Sequence, residues 1–116
     1  PPDGQNVADY RGEVTRRLAQ KAEYVRNRPV TLVLENETNL FGAYPERCVY
    51  LHAAIPSSKL VAAFDPANFV VMNVQDVYGT CWLPLRPYVK YFHIKDWKYG
   101  ASGAAVPAGP AAASGR

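Results

Sequence analysis

Three residues able to bind a metal ion, Glu35, Asp65 and His93, each directly follow a short apolar run, over residues 30–34, 59–64 and 89–92. They stand 30 and 28 residues apart. Two carboxylates and an imidazole make an oxygen-rich donor set, which suits Mn²⁺, Mg²⁺ or Co²⁺ and also accepts Zn²⁺. Each residue alone has an ordinary explanation. Glu35 caps a turn, with Glu37 as its solvated neighbour. Asp65 before Pro66 forms a turn. His93 bonds to backbone. Taken together, the like spacing and like placement at run ends require three coincidences on that view. His52 falls inside a helical stretch and is read as surface or packing.

The elements that must position these residues alternate. Val7, Tyr10, Val14, Leu18, Ala22 and Val25 recur every three or four residues, which predicts a helix over 6–27 with one buried stripe. Asn6 or Asp9 caps it and Pro29 closes it. Residues 30–34 form a strand, apolar on both faces, as expected between a barrel core and outer helices. A second helix opens at Pro45-Glu46, with proline in the first turn beside an acid, and runs to about residue 55. Residues 59–64 are a second strand. A third connecting helix covers 76–88, weakened by Gly79, Pro84 and Pro87. Residues 89–92 are a third strand.

Helix alternating with strand is the α/β pattern of a parallel sheet. A (β/α)₈ TIM barrel of ~250 residues uses roughly 31 residues per βα unit. The intervals between Glu35, Asp65 and His93 match that period. Residues 1–100 therefore read as part of a TIM barrel, about three βα units with parallel strands. The three residues would then stand side by side at the carboxyl ends, where barrels build their sites.

Composition bounds the rest. At 116 residues the chain makes one small domain. A net charge of +3 is too small an excess to argue for nucleic acid, and Arg16, Arg17, Lys21, Arg26 and Arg28 fit a solvated helix face. Cys48 and Cys81 are in no metal or redox spacing and read as reduced thiols of a cytoplasmic protein. No apolar run is long enough to cross a membrane. Pro1-Pro2-Asp3-Gly4 is not a signal peptide, and the missing initiator Met suggests a processed or partial product. Residues 101–116 are rich in Gly, Ala and Pro and are expected to be a mobile tail.

The strings Leu34-Glu35-Asn36-Glu37, Phe64-Asp65-Pro66-Ala67-Asn68-Phe69 and His93-Ile94-Lys95-Asp96 resemble those of the xylose isomerase-like TIM barrel superfamily. Tyr44-Pro45-Glu46-Arg47-Cys48 and Leu85-Arg86-Pro87-Tyr88-Val89 add to the likeness, which covers most of residues 6–109. That superfamily includes sugar phosphate isomerases and epimerases, inosose dehydratases and apurinic endonucleases. The resemblance makes the three strands the fifth to seventh of the barrel, and Glu35, Asp65 and His93 its metal ligands. It puts Asn68 where members place a polar residue facing substrate, and Lys95 and Asp96 at the mouth. Glu37 would support the ligands or touch a sugar hydroxyl. The chain departs from the pattern in having no counterpart of the first four strands. It ends before the eighth strand, which should bring a glutamate as fourth ligand. Pro110 follows Val106-Pro107-Ala108-Gly109, where a polar or acidic residue is expected.

The resemblance implies a divalent-metal-dependent sugar or sugar phosphate isomerase or epimerase of carbohydrate metabolism, acting through an enediolate. Glu35 would be the catalytic base, a sugar or polyol the substrate, and the chain alone an inactive fragment. An inosose-type dehydratase would use the same enolate and expel a β-hydroxyl. An apurinic endonuclease-like metal nuclease needs more ligands and a basic face, and two histidines with a +3 charge speak against it. A non-catalytic truncated barrel is a further possibility. Its open edges would favour self-association.

Overall fold

Asn6 begins the first helical stretch: its side-chain oxygen accepts the Ala8 amide at 2.9 Å. The 3₁₀ turn Val7–Tyr10 that it caps leads into α1, Arg11–Tyr24. Glu13 sits in the first turn of α1 and pairs with both Arg16 and Arg17, three and four residues on, as neighbours on a helix surface do. Of the two expected caps, Asn6 is the one used. The computed structural model describes residues 5–100 and 105–107.

Three parallel strands follow in the order β1-β2-β3: β1 is Leu32–Glu35, β2 is Leu60–Phe64 and β3 is Val89–Phe92. Helix α2, Pro45–Ala54, crosses from β1 to β2 and has proline in its first turn, as expected. After β2 the chain forms a short helix, α3, Pro66–Val71, where the sequence suggested only a turn. The helix expected over 76–88 is broken into a π-helical turn Tyr78–Trp82, a single turn α4 at Leu83–Leu85 and a 3₁₀ turn Arg86–Tyr88. Pro84 and Pro87 lack the N–H that a continuous helix needs, so the segment changes pitch around them.

The helices cover one face of the sheet. Cys48 of α2, Phe64 of β2, Phe69 of α3, Cys81 and Leu85 form the larger core cluster, and Ala22, Ile55 and Leu60 a second one that Leu32 and Leu34 join. Phe69 is wholly buried, so truncating it to alanine should cost about 3–5 kcal/mol. Both cysteines are free and buried. His52 is a packing residue: it is buried and its ring stacks on Tyr88, with centroids 4.6 Å apart.

The expectation that the strand over 30–34 is buried on both faces fails, and of the three parallel strands β2 alone is so covered. Side chains alternate across a strand. Leu32 and Leu34 point to the helices, while Val33 is 47% exposed. Tyr91 of β3 is likewise 55% exposed. Three strands do not close a barrel, so the face that would line its interior is open over β1 and β3. Within the stretch 101–116, the structure describes 105–107, which form β5, Ala105–Pro107, antiparallel to β4, Trp97–Tyr99. The rest of the expected mobile tail, with the segment around Pro110, lies outside the described residues. No described helix is long and apolar enough to cross a membrane.

Candidate metal centre

Strand register decides where the three residues meet. Glu35 pairs with Ala63, not with Asp65, so Asp65 lies two positions further along its strand. An offset of two keeps both side chains on the same face. The longer glutamate side chain spans the difference. On the other side, Ala62 pairs with Val89 but Ala63 pairs with Tyr91, so Lys90 is an extra residue in β3. This bulge shifts the pairing by one and sets Phe64 opposite Phe92. Beyond that last pair the His93 amide donates to the Phe64 carbonyl at 3.0 Å, which carries the register on and brings His93 beside Asp65. All three side chains project from the carboxyl ends of the strands on the face opposite the helices.

Asn36, buried directly after Glu35, ties the strand ends together. Its side-chain amide donates to the Asp65 carbonyl at 2.7 Å, and its side-chain oxygen accepts the Asp65 N–H at 2.8 Å. The Asn36 carbonyl accepts the Asn68 side-chain amide at 2.8 Å. These bonds extend the β1–β2 ladder past the last regular pair, by side chains. Asn36 lies inside the motif Leu34-Glu35-Asn36-Glu37, and its role is not apparent from the sequence. The available signal was a polar amide inserted between two acids at a strand end.

Asp65 is wholly buried and splits the duties of its carboxylate. Oδ1 accepts the Asn68 backbone N–H at 3.0 Å, capping α3. Oδ2 receives no hydrogen bond of good direction, although His93 Nδ1 lies 3.2 Å and Lys95 Nζ 3.3 Å away. Those two contacts are close enough for charge attraction but too poorly aligned to satisfy the oxygen. His93 Nδ1 also pairs with Glu35 Oε1. The hydrogen bond to Glu35, and then its charge, hold the imidazole above its ordinary pKa of 6.5.

One ligand atom from each of Glu35, Asp65 and His93 lies within 4.8 Å of the others. A buried carboxylate oxygen left without a hydrogen bond costs free energy unless a cation meets it. Two oxygen donors and an imidazole on one small patch are a donor set that a divalent ion fits. The three predicted ligands are therefore brought together. Lys95 joins them through Asp65. Glu37 is half-buried and its Oε1 accepts the Thr38 N–H at 2.9 Å. Asp96 is exposed on the segment after β3. Asn68 is buried, with its side-chain amide committed to the Asn36 carbonyl.

The class that this architecture defines is the TIM barrel, present here as a part: parallel βα units in an open sheet. The chain is similar to a solved structure described as a xylose isomerase-like TIM barrel protein from Mycobacterium smegmatis in complex with magnesium. The TM-score is 0.68 at 18% sequence identity, over 85% of this chain and 34% of that one. This chain thus spans about a third of that protein's length. No family model matches the chain, and no curated protein matches it.

Proposed function

We propose that Glu35, Asp65 and His93 are three ligands of a divalent-metal centre in a sugar or sugar phosphate isomerase or epimerase that works through an enediolate. The observation that carries this is the meeting of their ligand atoms within 4.8 Å at the carboxyl ends of three neighbouring parallel strands. The buried Oδ2 of Asp65 supports it, since it accepts no hydrogen bond and is already approached by the cationic groups of His93 and Lys95. Mg²⁺, Mn²⁺ or Co²⁺ suit the donors best. When bound, the ion supplies a Lewis acid that lowers the cost of charge on a sugar oxygen. Glu35 takes a proton from the carbon beside the carbonyl, acting as general base. Asp65 is held by the bonds of Asn36 to its backbone and offers Oδ2 to the ion. Lys95, Glu37 and Asp96 would meet sugar hydroxyls or a phosphate, and Asn68 would border the substrate.

The setting of this reading is carbohydrate metabolism in the cytoplasm. Among the described residues three ligands gather on one open three-stranded sheet, so the 116 residues by themselves are expected to bind metal weakly and to be inactive. The open strand edges and inner face favour self-association. The test is metal content by mass spectrometry and Mn²⁺ binding by electron paramagnetic resonance, for the wild type and Asp65→Ala. Uptake by the wild type with loss in the variant supports the reading. Equal uptake by both defeats it.

A further inference from the structure

We infer that Lys95 is a tethered cation that occupies the metal-facing side of Asp65, and that a divalent ion must displace it. The inference rests on the metal centre proposed above. Asp65 Oδ2 is a buried anionic atom with no hydrogen bond. Lys95 Nζ lies 3.3 Å from it. Oδ2 is also the oxygen that faces His93, at 3.2 Å, while Oδ1 is turned away to cap α3. The ammonium therefore sits beside the one Asp65 oxygen free to ligate, on the side shared with the imidazole.

A metal ion on that oxygen would stand about 2.0–2.6 Å from it, which brings a double positive charge close to the ammonium. Repulsion at such short range is strong wherever water is partly excluded. The lysine can yield, because its head is carried on a flexible four-carbon stem and its side chain is 39% exposed. Asp65 cannot yield, because its backbone is clamped by Asn36 and its other oxygen is held by the Asn68 amide. Metal uptake thus exchanges a monovalent internal cation for a divalent one. The charge count agrees. Glu35 and Asp65 balance one divalent ion, so Lys95 becomes surplus once the ion is bound and is released toward the mouth.

The experiment compares wild type, Lys95→Met and Lys95→Arg in the full chain. Mn²⁺ affinity is read by electron paramagnetic resonance, and melting temperature with and without Mn²⁺ by circular dichroism. Removal of the competitor should tighten Mn²⁺ binding by about tenfold in Lys95→Met. The metal-free variant should melt lower than wild type, since its buried carboxylate has lost a counter-charge, and it should gain more on adding Mn²⁺. Lys95→Arg keeps a cation and should bind within about threefold of wild type. Unchanged or weaker binding by Lys95→Met, while wild type binds, overturns the displacement and leaves the metal centre standing. Failure of every variant to bind removes the centre itself and this inference with it.

Discussion

Asn36 holds the backbone of Asp65 as a neighbouring strand would: its side chain donates to the Asp65 carbonyl at 2.7 Å and accepts the Asp65 N–H at 2.8 Å. The clamp lies where the regular β1–β2 pairing has ended, between the strand-end acids that the site needs. It converts two independent chain turns into one rigid edge. Because Asn68 also donates to the Asn36 carbonyl, the start of α3 is fixed to the same edge.

Replacing Asn36 with Ala leaves the Asp65 N–H and C=O buried without partners, at ~1–3 kcal/mol for each group. A loss of about 2–4 kcal/mol in unfolding free energy is expected, measured by urea denaturation. Mn²⁺ affinity should also fall by about tenfold at temperatures where the variant is folded. A core variant of equal instability, such as Leu85→Ala, should keep its affinity. Equal affinities in both would show that the clamp contributes to stability alone.

His93→Gln separates binding from folding in the opposite way. The imidazole is more than half exposed, so near neutral pH the substitution should leave the urea midpoint close to that of wild type. Mn²⁺ binding should weaken by at least about tenfold, since glutamine replaces a strong nitrogen ligand with a weak amide. Binding at wild-type strength would remove His93 from the ligand set.

The pH dependence of metal uptake follows from the same imidazole. Glu35 raises its pKa above 6.5. The pair with Glu35 therefore contributes to stability below 6.5 and loses that contribution as pH rises through the raised value. Metal binding runs the other way, because the ion requires the neutral ring. Affinity should fall as pH drops from about 7.5 to about 5.5, and calorimetry in buffers of different ionisation enthalpy should record proton release on binding. Affinity independent of pH over that range would exclude the imidazole as a ligand.

His52 gives a second pH effect, on folding. Burial lowers its pKa below the ordinary 6.5, and its Nε2 has no hydrogen-bond partner. The folded protein keeps this ring neutral while the unfolded chain protonates it. Stability is therefore complete above 6.5 and declines as pH falls from there through the lowered folded value. His52→Phe preserves the stack on Tyr88 and removes the titration. Its urea midpoint should fall less than that of wild type between about pH 7.5 and about pH 5. Parallel curves would show that His52 does not couple to folding.

The uncovered inner face makes a prediction about association. Val33 and Tyr91 expose large apolar side chains there, 47% and 55% accessible, on a parallel sheet of the kind that is normally covered on both sides. Sedimentation should show concentration-dependent oligomers, and Tyr91→Glu should shift them toward monomer. A wild-type chain that stays monomeric at high concentration would rule this out.

Cys48 illustrates how far local sequence informs chemistry. Its spacing from Cys81 favoured two reduced thiols over a disulfide, and burial keeps the thiol protonated by pushing it up to about 12. The strands were likewise legible as short apolar runs, α2 through its proline start, and α1 through a period of three or four. The cap at Asn6 was one of two candidates. The broken helix before β3 was foreshadowed by Gly79, Pro84 and Pro87. Helix α3 was not foreseen, because Asp65-Pro66 suits a turn and a helix start equally well.

The identities and intervals of Glu35, Asp65 and His93 determined which residues could ligate and which strand ends carried them. Their geometry was decided elsewhere. The offset of Glu35 against Ala63 and the extra residue at Lys90 are properties of pairing between strands distant in the chain, where a one-residue slip turns a side chain to the other face. The division of labour between the two oxygens of Asp65 is decided in the same way, since it depends on which amides and ammonium groups the fold delivers to each. Residue type sets what a group can bind, and only tertiary packing sets which of its atoms is left free to do so.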